Sequence, residues 1–224
     1  MDKLNSNALV RTTKSIVVNP RQGNYIDRNV VQRQFYNSFN YLMIHDDSKQ
    51  VNLTVGVTSP NRKSGKTLIA SNLAVSFALG YKKRTVLVDL NIENPDLHKI
   101  FGTNIKPGLA ESFENDSVFL SQTKLEHLFL LPAGKSRYSS FNLDDIVAIR
   151  DIIHSLKKEF DVVILDMNPI LPIENFPAAF ATQVDGLLVV VDTKQTKYQH
   201  IEKMFRYIKK DQTLGFVFNR MEDY

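Results

Sequence analysis

Residues 51–89 read VNLTVGVTSPNRKSGKTLIASNLAVSFALGYKKRTVLVD. The apolar run NLTVGVTS stops at Ser59-Pro60, and a polar loop continues to Gly65. The periodicity of GKTLIASNLAVSFALG predicts a helix starting near Lys66 and ending at Gly80. RTVLVD then predicts a short buried strand. Ser64-Gly65-Lys66-Thr67 therefore falls at a strand–loop–helix junction, the setting a phosphate-binding loop requires. Amide groups at a helix start face an anion, and the helix dipole favours negative charge there. From that position Lys66 can reach β/γ-phosphate oxygens, and the Thr67 hydroxyl can ligate Mg²⁺. The full GxxxxGK[ST] pattern is not met, because position 60 is Pro.

Working outward, HLFLLPAG (127–134), FDVVILD (160–166), DGLLVVVD (185–192) and LGFVFN (214–219) predict further strands. Residues 143–158, capped by Asn142, and residues 197–210 predict helices. Short strands apolar on both faces, alternating with helices, imply a doubly wound α/β domain with a mostly parallel sheet. Ligands bind such sheets at the carboxyl ends of the strands. Asp89 and Asp166 end two predicted strands and could hold Mg²⁺ beside the loop. An Asp ending one strand is more often a cap or turn residue, and Asp192 is a third instance; the pair gains weight only together with the loop. Asn219 ends the last strand, where a side-chain amide could meet a purine edge.

Residues 27–45, with apolar positions at 31, 35, 39 and 42, predict one amphipathic helix. Residues 1–26 are polar and aperiodic and predict a poorly ordered arm. Residues 27–224 are expected to form one domain, with the nucleotide-binding core at 51–220. The 224 residues contain no Cys, which excludes disulfide scaffolds, thiolate metal sites and thiol nucleophiles. No run approaches the roughly 18–20 apolar residues that cross a bilayer, and no secretory signal opens the chain. A cytoplasmic location is expected. The net charge of +4 fits simple solubility, with an acidic partner or substrate as the sharper alternative, and residues 1–33 and 197–210 are locally basic.

In this order the motifs resemble the bacterial tyrosine kinases of the cytoplasmic CpsD/CapB type, within the ParA/MinD-like branch of P-loop proteins. The likeness runs from about residue 51 to 220. It rests on the loop and its helix, on Asn94-Pro95, Leu97-His98 and Phe101-Gly102 after the second strand, on FDVVILDMNPI, and on VDGLLVVVD and GFVFNR. It implies ATP and Mg²⁺ as cofactors. Ser59, Arg62, Lys63, Ser64, Gly65, Lys66, Thr67 and Leu68 would hold the phosphates, with Asn219 at the adenine and Arg220 beside it. Thr67, Asp89 and Asp166 would hold the metal, with Lys66, Asp89 and Asp166 catalytic and Asp89 the base. The implied role is tyrosine phosphorylation that regulates capsule or exopolysaccharide synthesis. The implied partner is a membrane adaptor of the chain-length-determinant class, which would bring the protein to the inner face of the plasma membrane. No nucleic acid is expected.

The chain departs from that family at several positions. The family loop S-x-x-P-G-E-G-K-[ST] carries Arg62, Lys63 and Ser64 in place of Pro-Gly-Glu, so Lys63 must adopt a glycine-type conformation with a Cβ. The motif D-x-D-x-R reads Asp89-Leu90-Asn91-Ile92-Glu93, and the turn after Asp166 reads Met167-Asn168-Pro169. The oligomer motif E-x-x-R-x-x-R falls on Arg33, Tyr36 and Phe39, which leaves a homo-oligomer doubtful. Of the C-terminal tyrosine cluster only Tyr224 remains. Two alternatives therefore stay open: an ATP-binding pseudokinase of the polysaccharide machinery, and a ParA/MinD-type ATPase switch.

Overall fold

Why the central strands lie where they do follows from their side chains. Residues 85–89, 162–166 and 186–192 are buried along their whole length, so both faces of the sheet must be covered. The computed structural model describes residues 15–19, 52–135, 141–173 and 178–221. The expected helix at 27–45, the oligomer motif and Tyr224 lie outside the described residues.

Eight strands form one sheet: β1 (Ser15–Asn19), β2 (Leu53–Thr58), β3 (Thr85–Asp89), β4 (Ser117–Gln122), β5 (Leu128–Leu131), β6 (Val162–Asp166), β7 (Gly186–Asp192) and β8 (Thr213–Asn219). Their order is β1-β4-β5-β3-β6-β2-β7-β8. All pairings are parallel except β4 with β5. The helices are α1 (Lys66–Val75), α2 (Leu97–Ile100), α3 (Leu109–Phe113), α4 (Leu143–Glu159), α5 (Ala178–Ala181) and α6 (Tyr198–Met204). A π turn over Ser76–Gly80 extends α1 to the glycine that was expected to end it.

Alternate residues divide the core into two clusters. Val86, Val88, Val163, Leu165, Val189 and Val191 share one with Ile149, Ile152, Ile153 and Leu156 of α4. Leu87, Val162, Ile164, Leu188 and Val190 share the other with Ile69, Leu73 and Phe77, on the α1 side. Asn142 caps α4 as its sequence implies: its Oδ1 accepts the Asp145 N–H at 2.8 Å, and Asp145 Oδ2 accepts the Asn142 N–H at 2.9 Å.

Three expectations need correction. Ser15–Asn19, inside the segment read as an unstructured arm, is an edge strand paired with Ser117–Ser121. Ile16, Val17 and Val18 are three β-branched residues in a row, and an open sheet edge supplies their backbone partners. β4 was not anticipated, and its antiparallel pairing with β5 makes a local hairpin within the parallel order. The helix expected over 197–210 is only α6, followed by turns and one 3₁₀ turn at Lys210–Gln212.

The α4 cap gives a stability test remote from the loop. Asn142→Ala should lower unfolding free energy by about 1 kcal/mol, read as a shifted urea midpoint with an unchanged slope.

Candidate functional site

Parallel register brings the carboxyl ends of β2, β3 and β6 together. Asp89 is the register partner of Asp166, and Asp166 is the partner of Val57 on β2, one residue before the strand ends. β2 therefore releases its loop beside both acids. The loop is tied to the chain after β6: the Ile170 N–H donates to Ser59 O at 2.8 Å and the Leu171 N–H to Pro60 O at 3.1 Å. Ser59 and Ser64 both turn their hydroxyls onto Asn61 O, at 2.6 and 2.9 Å. Asn61 Nδ2 in turn donates to His200 Nδ1 at 2.8 Å.

Two residues of the loop have left-handed backbones: Lys63 at φ 61° and Gly65 at φ 90°. Lys63 thus adopts the conformation its sequence position demanded, at a cost on the order of 1 kcal/mol for a residue with a Cβ. Gly65 is required twice. A Cβ there would suffer backbone strain and would also stand 2.3 Å from Asn219 Nδ2. The first intrahelical bond of α1 runs from the Ile69 N–H to Gly65 O, so the amides of Lys66, Thr67 and Leu68 precede the helical ladder. They form an anion-facing helix start. The Leu68 side chain is itself exposed, which leaves only its amide to serve the site.

Lys66 is buried, and burial lowers its pKa, opposed by the charge of Asp166. Burial raises Asp89 well above the ordinary carboxylate value, and the neighbouring Asp166 adds to the rise. Asp89 Oδ1 accepts the Asn91 N–H at 3.1 Å and Oδ2 the Leu97 N–H at 3.3 Å. Burial pushes Asp166 up to about 6, against the easing effect of the Thr67 hydroxyl and the Lys66 charge. Among the described residues, neither buried oxygen of Asp166 has a protein partner at full hydrogen-bond geometry. Two buried acids side by side, one of them with both oxygens orphaned, suit a hard divalent cation, and Mg²⁺ is commonly held by one or two carboxylates plus phosphate oxygens. Thr67, Asp89 and Asp166 therefore fit a metal site.

The remaining residues fall as follows. Arg62 pairs with Glu93 at 2.9 Å, joining the loop to the segment after Asp89. Asn219 Nδ2 donates to Ser64 O at 2.9 Å, and its Oδ1 accepts the Arg220 N–H at 2.9 Å. Arg220 Nη1 meets Asp192 Oδ2 at 2.6 Å. The sequence did not single out Asn61 or His200. Their only signal was position, one inside the loop and the other at the start of a predicted helix.

The buried acid makes stability pH-dependent with a defined sign. A carboxylate whose folded pKa lies above its unfolded value of about 4 costs stability as pH rises through that interval. In metal-free, nucleotide-free protein, Asp166→Asn should match the wild type near pH 4. It should become more stable by on the order of 2–3 kcal/mol above pH 7, read from paired thermal melts across pH.

No family model matches the chain. The tyrosine-protein kinase CpsD of Streptococcus pneumoniae serotype 4 is 31% identical over 176 residues, which are 75% of this chain and 76% of that one. The succinoglycan biosynthesis transport protein ExoP of Rhizobium meliloti is 25% identical over 176 residues, 75% of this chain but only 22% of ExoP. Among solved structures, the chimerical protein CapA2B2 superposes with a TM-score of 0.75 at 23% identity, covering 90% of this chain and 94% of its own. The septum site-determining protein MinD complexed with Mg-ADP, from Pyrococcus horikoshii OT3, gives 0.59 at 17% identity, over 76% and 72%. These superpositions show the doubly wound P-loop fold. The CpsD match, spanning three-quarters of both sequences, goes further: the chain belongs to the bacterial tyrosine kinase family of the CpsD/CapB type.

Proposed function

We propose that the protein binds ATP with Mg²⁺ on the 59–68 loop and transfers the γ-phosphoryl group to a tyrosine hydroxyl. In this reading it regulates capsule or exopolysaccharide synthesis together with a membrane adaptor. The carrying observation is the convergence of buried Lys66, Asp89 and Asp166 at the start of α1. A low-polarity enclosure strengthens every charge interaction with a phosphate tail. The kinase name of CpsD, the glycan-biosynthesis name of ExoP and the Mg-ADP in MinD support the same reading.

The geometry supports the following roles. The amides of Lys66, Thr67 and Leu68 and the Lys66 ammonium would hold phosphate oxygens, with Arg62 and Lys63 adding positive charge at the loop. Thr67 and Asp166 would hold the metal, with Asp89 beside them. When bound, a divalent ion would supply positive charge that offsets the negative charge of the phosphates. Asp89, with its raised pKa, is the group suited to take the tyrosine proton. An adaptor would account for membrane proximity, because among the described residues no helix is long and apolar enough to cross a bilayer.

One observation favours a second reading, a nucleotide-binding pseudokinase. Position 93 carries an acid, and that acid engages Arg62, a cation of the loop itself. Removing a charge clamp in phosphoryl transfer can cost about 10³-fold or more.

Calorimetry with ATP and Mg²⁺ tests binding, and Lys66→Met should weaken it at least about tenfold. Labelled ATP with the adaptor's cytoplasmic tail separates the readings. Label on tyrosine, lost in Asp89→Ala, establishes the kinase. ATP binding without tyrosine label establishes the pseudokinase.

A further inference from the structure

β7 and β8 end side by side, with Asp192 in register with Asn219. Asp192 is 1% exposed. Its Oδ2 receives Arg220 Nη1 at 2.6 Å, and its Oδ1 receives the Lys194 N–H at 3.0 Å. Thr193 adds a second fastening. Its N–H donates to Asn219 O at 3.1 Å, and its hydroxyl lies within 3.2 and 3.0 Å of the carbonyls of Asn219 and Arg220. Between these ties Arg220 takes a left-handed backbone, φ 59°. A residue with a Cβ keeps that conformation only where its surroundings over-determine it. Here the consequence is specific. The turned Arg220 N–H caps Asn219 Oδ1, which directs Nδ2 onto Ser64 O, directly over Gly65.

We infer that Asn219 is a positioning residue for the phosphate loop, held in place by the Asp192–Arg220 pair. The inference rests on the nucleotide reading above and assigns the strand-end amide a further task. One Nδ2 hydrogen and one Oδ1 lone pair of this amide are engaged within the protein. The Nδ2 bond fixes the carbonyl of Ser64, and with it the peptide plane that leads into Gly65 and the helix start. Asp192 acts on the loop through Arg220 and Asn219.

Calorimetric titration of Mg²⁺ complexes of ATP, GTP and tripolyphosphate tests this, because the last has no base. Asn219→Ala should weaken all three by a similar factor, about three- to tenfold for one hydrogen bond. Asp192→Asn should reproduce most of that loss. So should Arg220→Gly, which keeps access to positive φ but removes the guanidinium. Hydrogen exchange at the Gly65 and Lys66 amides of the nucleotide-free variants should accelerate. Because Arg220→Gly leaves the buried acid in place, it preserves the test if Asp192→Asn fails to fold. Loss confined to ATP in Asn219→Ala overturns the inference in favour of base reading. Unchanged affinity and exchange in Asp192→Asn and Arg220→Gly overturn the role of the pair. If the wild type binds none of the three ligands, the nucleotide reading falls. Exchange still decides whether the pair holds the loop.

Discussion

Everything at the site depends on two carboxylates that parallel pairing forces together. Adjacent parallel strands lie roughly 4.8 Å apart, and the β3–β6 register leaves Asp89 opposite Asp166 with no freedom to separate. Both are buried, and both are held above the usual carboxylate range by that burial. Left alone, such a pair opposes folding. Its persistence means the rest of the domain offsets the cost, through two apolar clusters and a sheet whose central strands are covered on both sides. Lys66, buried nearby, balances only part of the charge. The arrangement is that of a site made to receive positive charge and an anion together.

Strand periodicity exposed this much in advance. β2, β3, β6 and β7 each carry a run that only a covered sheet can bury, and β8 carries an apolar run although it lies half-exposed at the sheet edge, so their existence and the positions of Asp89 and Asp166 could be read directly. The junction at Lys66 could be read because Gly, Lys and Thr have separate physical tasks there. The edges were less legible. β1 is five residues in a polar stretch, and only its pairing with β4 makes it a strand. β4 itself mixes buried and half-buried residues and looks like a loop until β5 turns back onto it. In α6 the buried Met204 and Ile208 keep a helical spacing although the chain leaves the helix between them. The fastening of the loop by Asn219 and His200 could not have been read at all. Those contacts join residues 155 and 139 positions apart, and no local pattern encodes them.

The departures at 62 and 93 have a common physical form. Where the family resemblance places an arginine on the segment after Asp89, this chain has Glu93. The loop, where the resemblance places a proline, has Arg62. The two meet at 2.9 Å. The cation stands on the opposite wall of the site, and here it bridges the two walls. Half-exposed, the pair adds little to stability. Its effect is on where the guanidinium stands when a phosphate arrives.

The close approach of Gly65 to Asn219 also constrains how the sequence can drift. A methyl group at 65 has no room while the amide at 219 stays, and a shorter residue at 219 still leaves a left-handed backbone that punishes any side chain. A change at 219 therefore does not free position 65: the left-handed backbone alone reserves it for glycine, so lineages descended from this chain should keep Gly65 for as long as they keep the loop's shape.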